Sequence, residues 1–175
     1  MKTHILVATD GSETAGKAID LAAELAAKFD VPLTIGHILH FGRPPEELAH
    51  MARVEHLVES VREKSGADFP NVPGNIMKLF DDSRPGDNAV RIITLIGDEI
   101  LKRGADRAKE LGVDQVSTRS GQGDTADTIL DMAEDVGADM IVVGHRGLGR
   151  VRRMIMGSVA QKVVQQAECT VISVR

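Results

Sequence analysis

Two loops in this chain carry residue types suited to holding a phosphorylated ligand. The first is Thr9-Asp10-Gly11-Ser12, directly after the apolar run Ile5-Leu6-Val7-Ala8. A carboxylate at the end of a strand can accept hydrogen bonds from ribose hydroxyls, and Gly11 lets the chain turn at little steric cost. The same four residues also fit a plain turn in which Asp10 or Ser12 caps the next helix. The second loop runs Gly144-His145-Arg146-Gly147-Leu148-Gly149-Arg150-Val151-Arg152-Arg153-Met154-Ile155-Met156-Gly157-Ser158. Its glycines let backbone N–H groups approach a phosphate, and its arginines raise the local potential for an anion. A helix starting near Ser158 adds unpaired N–H donors and a positive dipole end, and Ser158 itself adds a hydroxyl. Ser158-Val159-Ala160-Gln161 also fits the S-x-x-Q capping box, which needs no ligand. A cap leaves Gly144, Gly147 and Gly149 unexplained. It also leaves unexplained so much positive charge in a chain of net charge −5.

Other chemistries fit less well. Gly121-Gln122-Gly123-Asp124-Thr125-Ala126 matches a loose dinucleotide pattern. That site needs an acidic residue closing the next strand, whereas Asp139 precedes that strand and Gly144 follows it. Asp124 as a helix N-cap is the simpler use of this turn. No G-x-x-x-x-G-K-(S/T) phosphate loop occurs. His37 and His40 face opposite sides of a strand. His50 and His56 lie about 240° apart around a helix. Neither pair is a natural metal couple. Cys169 opens the last strand as a small side chain with no evident base beside it. Arg146, Arg150, Arg152 and Arg153 form a short cluster inside the phosphate loop, so a nucleotide is a more economical anion than a nucleic acid.

Elements that would position these loops follow from periodicity. Five β-rich runs stand out: Thr3 to Ala8, Leu33 to Leu39, Val113 to Thr118, Met140 to Val143 and Thr170 to Val174. Three are almost continuously apolar, as parallel strands covered on both faces are. Between them lie helical spacings. One joins Ala15 to Phe29, another Leu48 to Val61 and a third Val90 to Leu111. A fourth joins Ala126 to Ala133 and closes at Gly137, and the last joins Val159 to Ala167. Within the third, Ile92 to Ile96 could pass for a strand, but the spacing continues to Leu111 and favours helix. Strand–helix alternation implies a parallel α/β sheet with ligands at the strand C-termini. Residues 65–87, rich in Pro and Gly, read as one extended connection within a single domain spanning 1–175.

Composition removes further classes. No apolar run approaches the ~18 residues of a membrane span. The apolar part of the N-terminus is too short for a secretory signal and runs straight into Asp10. One cysteine makes no internal disulfide. Cytoplasm is the expected compartment. Mild acidity argues against broad nucleic-acid binding. The absence of Trp and Tyr removes the best stacking platforms for single strands.

The spacing Gly144-x2-Gly147-x9-Gly157-Ser158 resembles the G-x2-G-x9-G-(S/T) signature of the ATP-binding universal stress protein family. Ile5 to Glu13, His37-Ile38, Ala138 to Gly144 and Cys169 to Val174 look alike too. The resemblance spans nearly the whole chain apart from about 65–87. It implies an open five-stranded parallel sheet of order 3-2-1-4-5, helices on both faces, and strands one and four adjacent. Asp10 would then lie beside the Gly144–Ser158 loop and contact the nucleoside. Ile38 matches the position whose backbone meets adenine. Gly144, Gly147, Gly157 and Ser158 match phosphate-binding positions, with Arg146 and Val159 in the same loop and helix start. Ala8 and Thr9 line the mouth, and Gly121-Gln122-Gly123 borders the base.

The sequence departs from the family at three places. Thr170 stands where many relatives have Pro, and His145 stands at a position commonly small or polar, where it would reach phosphate or solvent. The 65–87 segment is longer than usual. The expected ligand is ATP or a related adenine nucleotide. The expected role is a regulatory stress-response module with a downstream protein partner, dimeric through the last strand by way of Val171, Ile172 and Val174. The alternative is a slow ATP hydrolase. It would need a metal such as Mg²⁺, which Asp10 could help hold, and a group to orient water, and no general base is evident.

Overall fold

In a computed structural model of the chain, residues 3–39, 87–147 and 156–175 are described. Strands β1 (Ile5–Ala8), β2 (Leu33–Leu39), β3 (Val116–Gln122), β4 (Met140–Gly144) and β5 (Thr170–Val174) alternate with helices. The helices are α1 (Glu13–Phe29), α2 (Asp87–Glu110), α3 (Thr125–Asp135) and α4 (Ser158–Gln166). The sheet has the order β3-β2-β1-β4-β5. β1 runs parallel to both β2 and β4, with Ala8 opposite Gly36 on one side and Val143 on the other. β4 runs parallel to β5, from Met140 opposite Thr170 to Gly144 opposite Val174. The expected order is therefore the observed one.

The chain divides into two compact units, residues 1–38 with 100–175, and residues 39–99. The first holds the sheet, and alternate strand residues feed two cores, one on each face. Ile5, Val7, Leu33, Ile35, Met140 and Val142 pack with the buried alanines of α1 and with Leu101 and Ala108 of α2. Leu6, Ile38, Ile141 and Val143 pack on the other face with Ile129 and Met132 of α3 and Ala160 and Val163 of α4. This two-sided burial is why β1 and β4 read as unbroken apolar runs, and it buries Thr34 and His37 of β2 as well. Of the second unit, Leu39 and residues 87–99 are described. Residues 92–96 are helical there, as the spacing favours, and the Thr94 hydroxyl donates to the Val90 carbonyl at 2.9 Å. The helix expected over Leu48 to Val61 and nearly all of the 65–87 connection lie outside the described residues.

β3 is displaced from its expected position at Val113 to Thr118. Gly112 takes φ +90°, its N–H donates to the Lys109 carbonyl at 3.0 Å, and the Val113 N–H donates to the Ala108 carbonyl at 3.1 Å. These bonds form a Schellman cap, with Val113 as its buried apolar contact. The residues that do form β3 are mostly polar and exposed, because the strand lies at one edge of the sheet. β1 is also shorter than expected. Thr3 and His4 precede it, and their N–H groups donate to the Asp139 carboxylate at 2.9 and 3.3 Å.

Candidate functional site

The C-terminal ends of β1 and β4 lie side by side and set Asp10 against Gly147. Asp10 Oδ1 accepts from the Ser12 N–H at 3.0 Å. Its other oxygen faces the Gly147 backbone so closely that a Cβ there would stand 2.3 Å from Oδ2. Gly11 turns with φ +78°, and its N–H donates to Thr9 Oγ1 at 3.2 Å. Ser12 is the N-cap of α1, accepting from the Ala15 N–H at 3.3 Å. Ser12 is therefore the cap, as the turn reading has it, and Asp10 is held at the mouth.

Thr9 is buried, and its carbonyl accepts from His37 Nδ1 at 2.8 Å. A carbonyl only accepts, so Nδ1 of this buried ring carries a proton. The Thr9 N–H donates to the Gly36 carbonyl at 2.9 Å. Ala8 is half-buried beside them. Ile38 lies two residues beyond Gly36 on β2, with its side chain in the core.

The glycine loop is closed at its base. A Cβ on Gly144 would lie 3.1 Å from the Ala15 nitrogen, the Thr14 carbonyl carbon and the Arg146 oxygen. This glycine therefore lets α1 approach β4, a packing role the spacing alone does not reveal. The Thr14 hydroxyl donates to the Arg146 carbonyl. The His145 N–H donates to the Val174 carbonyl at 2.6 Å, and His145 Nδ1 reaches the same oxygen at 3.1 Å. His145 thus turns toward β5, and neither expected role for its ring describes that bond. Its carbonyl accepts from the Gly157 N–H at 2.7 Å, which joins the two ends of the loop.

The capping box that Ser158 to Gln161 would fit without a ligand is not formed. Gly157 is the N-cap of α4, with φ −70° and ψ 153° and no side-chain cap bond, and Ser158 is the first helical residue. The Gly157 N–H is used by His145, so the N–H groups left at this helix start are those of Ser158, Val159 and Ala160. Residues 148–155, including Gly149, Arg150, Arg152 and Arg153, lie outside the described residues. Asp124 caps α3 as expected, accepting from the Ala126 and Asp127 N–H groups at 3.2 and 3.1 Å. These backbone bonds, and Lys162 at 3.1 Å, hold its carboxyl below the usual carboxylate range. Gly121 lies one residue before the end of β3, where a Cβ would collide with Thr128 and Met132.

The structure thus brings Ala8, Thr9, Asp10, Gly144, Arg146, Gly147, Gly157, Ser158 and Val159 to neighbouring strand ends and one helix start. The universal stress protein family model matches residues 1–175. The chain belongs to the universal stress protein family. Universal stress protein YxiE of Bacillus subtilis is 31% identical over 180 residues, covering 100% of both chains. A putative universal stress protein of Staphylococcus epidermidis is 31% identical over 173 residues, covering 98% of this chain and 83% of its own. Among solved structures, UspA of Lactobacillus plantarum shares the fold with TM-score 0.63 and 20% identity, over 99% of this chain and 98% of its own. The Archaeoglobus fulgidus protein, solved in complex with dAMP, aligns with TM-score 0.60 and 22% identity, over 99% and 98%. A further family structure, solved in complex with cAMP, aligns with TM-score 0.61 and 24% identity, over 99% and 97%. Among the described residues, no helix is long and apolar enough to cross a membrane.

Proposed function

We propose that this member of the family binds ATP or a related adenine nucleotide at the mouth of β1 and β4 and acts as a nucleotide-dependent regulatory module. The observation that carries this reading is the meeting of Asp10 with Gly147, beside the His145–Gly157 bond that closes the glycine loop. The Asp10 carboxylate suits the ribose hydroxyls. The Ile38 backbone suits the adenine edge, with Ala8 and Thr9 as walls. The N–H groups of Arg146, Gly147, Ser158 and Val159, the Ser158 hydroxyl and the Arg146 charge suit phosphates. The helix dipole adds to the same potential. Mg²⁺, when it accompanies the phosphates, would be held in part by Asp10. The dAMP and cAMP of the two relatives support an adenine-nucleotide class of ligand. The same reading takes 1–175 as one family domain and β5 as a homodimer edge.

Without Trp or Tyr, the pure protein should absorb weakly in the aromatic band. A co-purified adenine nucleotide would dominate the spectrum, and denaturation would release it for identification. Titration of stripped protein with ATP then gives the affinity. Incubation with labelled ATP and Mg²⁺ separates retention from turnover. Gly157→Val is the control. Its Cβ would meet only ordinary contacts, 3.4 Å from the His145 oxygen and 3.5 Å from Arg146 Cα, so the fold should stand. ATP affinity should fall at least about a hundredfold, the scale of losing two or three phosphate hydrogen bonds. Unchanged affinity would remove this loop from the site, and sustained product formation would make the protein a hydrolase.

A further inference from the structure

Two contacts at the base of the loop fall on consecutive main-chain carbonyls. The His145 carbonyl accepts from the Gly157 N–H at 2.7 Å. The Arg146 carbonyl accepts from the Thr14 hydroxyl. A peptide group is planar, so fixing a carbonyl also fixes the N–H of the residue that follows. The first bond therefore sets the direction of the Arg146 N–H, and the second sets that of the Gly147 N–H.

Residue 145 is itself held twice. Its N–H and its ring Nδ1 both donate to the Val174 carbonyl, at 2.6 and 3.1 Å. One main-chain bond at the strand end and one at its carbonyl still leave residue 145 some rotation between them. The ring adds a second point of attachment and opposes that rotation. His145 thereby links β5 to the N-cap of α4 through one residue: Val174 holds its ring, and its carbonyl holds Gly157.

We infer that His145 is a positioning residue for phosphate recognition. Its imidazole anchors the start of the glycine turn on the end of β5. The N–H groups of Arg146 and Gly147 and the start of α4 then meet a phosphate already oriented. This inference rests on the nucleotide reading above. Donors fixed before binding avoid the cost of ordering them at the moment of binding. The ring itself contacts no ligand in this arrangement. Its effect belongs to the phosphate end of the ligand, because the peptide groups it orders carry the N–H groups of Arg146 and Gly147, whereas Asp10 accepts from the Ser12 N–H and Thr9 bonds to Gly36 and His37.

Calorimetric titration of the full chain with ATP and with adenosine tests this. His145→Ala should weaken ATP about tenfold, the scale of one lost orienting hydrogen bond, and leave adenosine affinity unchanged. His145→Asn, whose side-chain amide can donate to the same carbonyl, should recover ATP affinity to within about threefold of wild type. Thr14→Val keeps the side-chain shape and removes the bond to Arg146, so it should also weaken ATP selectively. If the alanine variant proves unstable, the asparagine and valine variants decide the matter. Equal ATP affinity in His145→Ala and wild type overturns the inference, as does an equal loss for ATP and adenosine. Either result leaves the nucleotide reading standing. A wild-type chain that binds neither ligand overturns the nucleotide reading, and the inference with it.

Discussion

Gly147 and Asp10 occupy space that only one of them can fill. A Cβ at 147 would stand 2.3 Å from Asp10 Oδ2, so Gly147→Ala must displace the carboxylate or the loop. The obstructing atom ends a side chain that can turn aside, so the change should destabilise the protein by about 0.5–1.5 kcal/mol, the scale of a strained rotamer. In an Asp10→Ala background the same change should cost much less, because the obstructing oxygen is gone. Urea unfolding of the four proteins measures this coupling, and additive losses would contradict the contact. The meeting of Asp10 and Gly147 is legible in the sequence because both follow strands that the expected sheet order sets side by side. Thr14 and His145 are not, because both act on main-chain carbonyls, and no residue pattern marks which carbonyl a side chain will meet. Their signal is weak: a hydroxyl in the first turn of a helix, and a ring where the family usually has a small residue.

Legibility at the scale of elements follows burial. β1, β2 and β4 are covered on both faces and appear in the sequence at nearly their observed bounds. β3 has one neighbouring strand and mostly exposed side chains, so its bounds leave little apolar signal, and the apolar Val113 before it belongs to the cap of α2. The opposite ends of the strands hold a titratable feature that the ligand reading does not use. His4 Nε2 lies 2.8 Å from the Thr34 hydroxyl, which lies 2.8 Å from that of Ser117. Burial lowers the His4 pKa below 6.5, outweighing the opposing pull of Asp139, and Arg119 lowers it further. The folded state therefore favours the neutral ring. The unfolded chain binds the proton first, so this stabilisation is present above pH 6.5 and is lost as pH falls through it. Chemical unfolding at about pH 7.5 and about pH 5.5 should show a smaller drop for His4→Gln than for wild type. An identical drop would assign acid sensitivity to other groups.

For the molecule as a whole, β5 is the edge at which a second copy would add. Val171 packs partly against one core, and Ile172 and Val174 partly against the other. Their side chains serve this chain's own faces, so an edge-to-edge dimer would rest mainly on backbone pairing. A lysine on an edge strand blocks such pairing while its stem can still cover apolar surface. Sedimentation of Val171→Lys should therefore show a dimer dissociation constant raised at least about tenfold, roughly the loss of one or two net hydrogen bonds. A dimer that survives unchanged would place the interface elsewhere.

The bond between His37 and Thr9 gives the mouth its own magnetic reporter. A ring proton held by a carbonyl in a buried site exchanges slowly with water, so the Nδ1 proton of His37 should stand apart in the spectrum. It lies one residue from Ala8 and Asp10. Any ligand that settles on that turn would displace its resonance, without a label, a fluorophore or a substitution in the site.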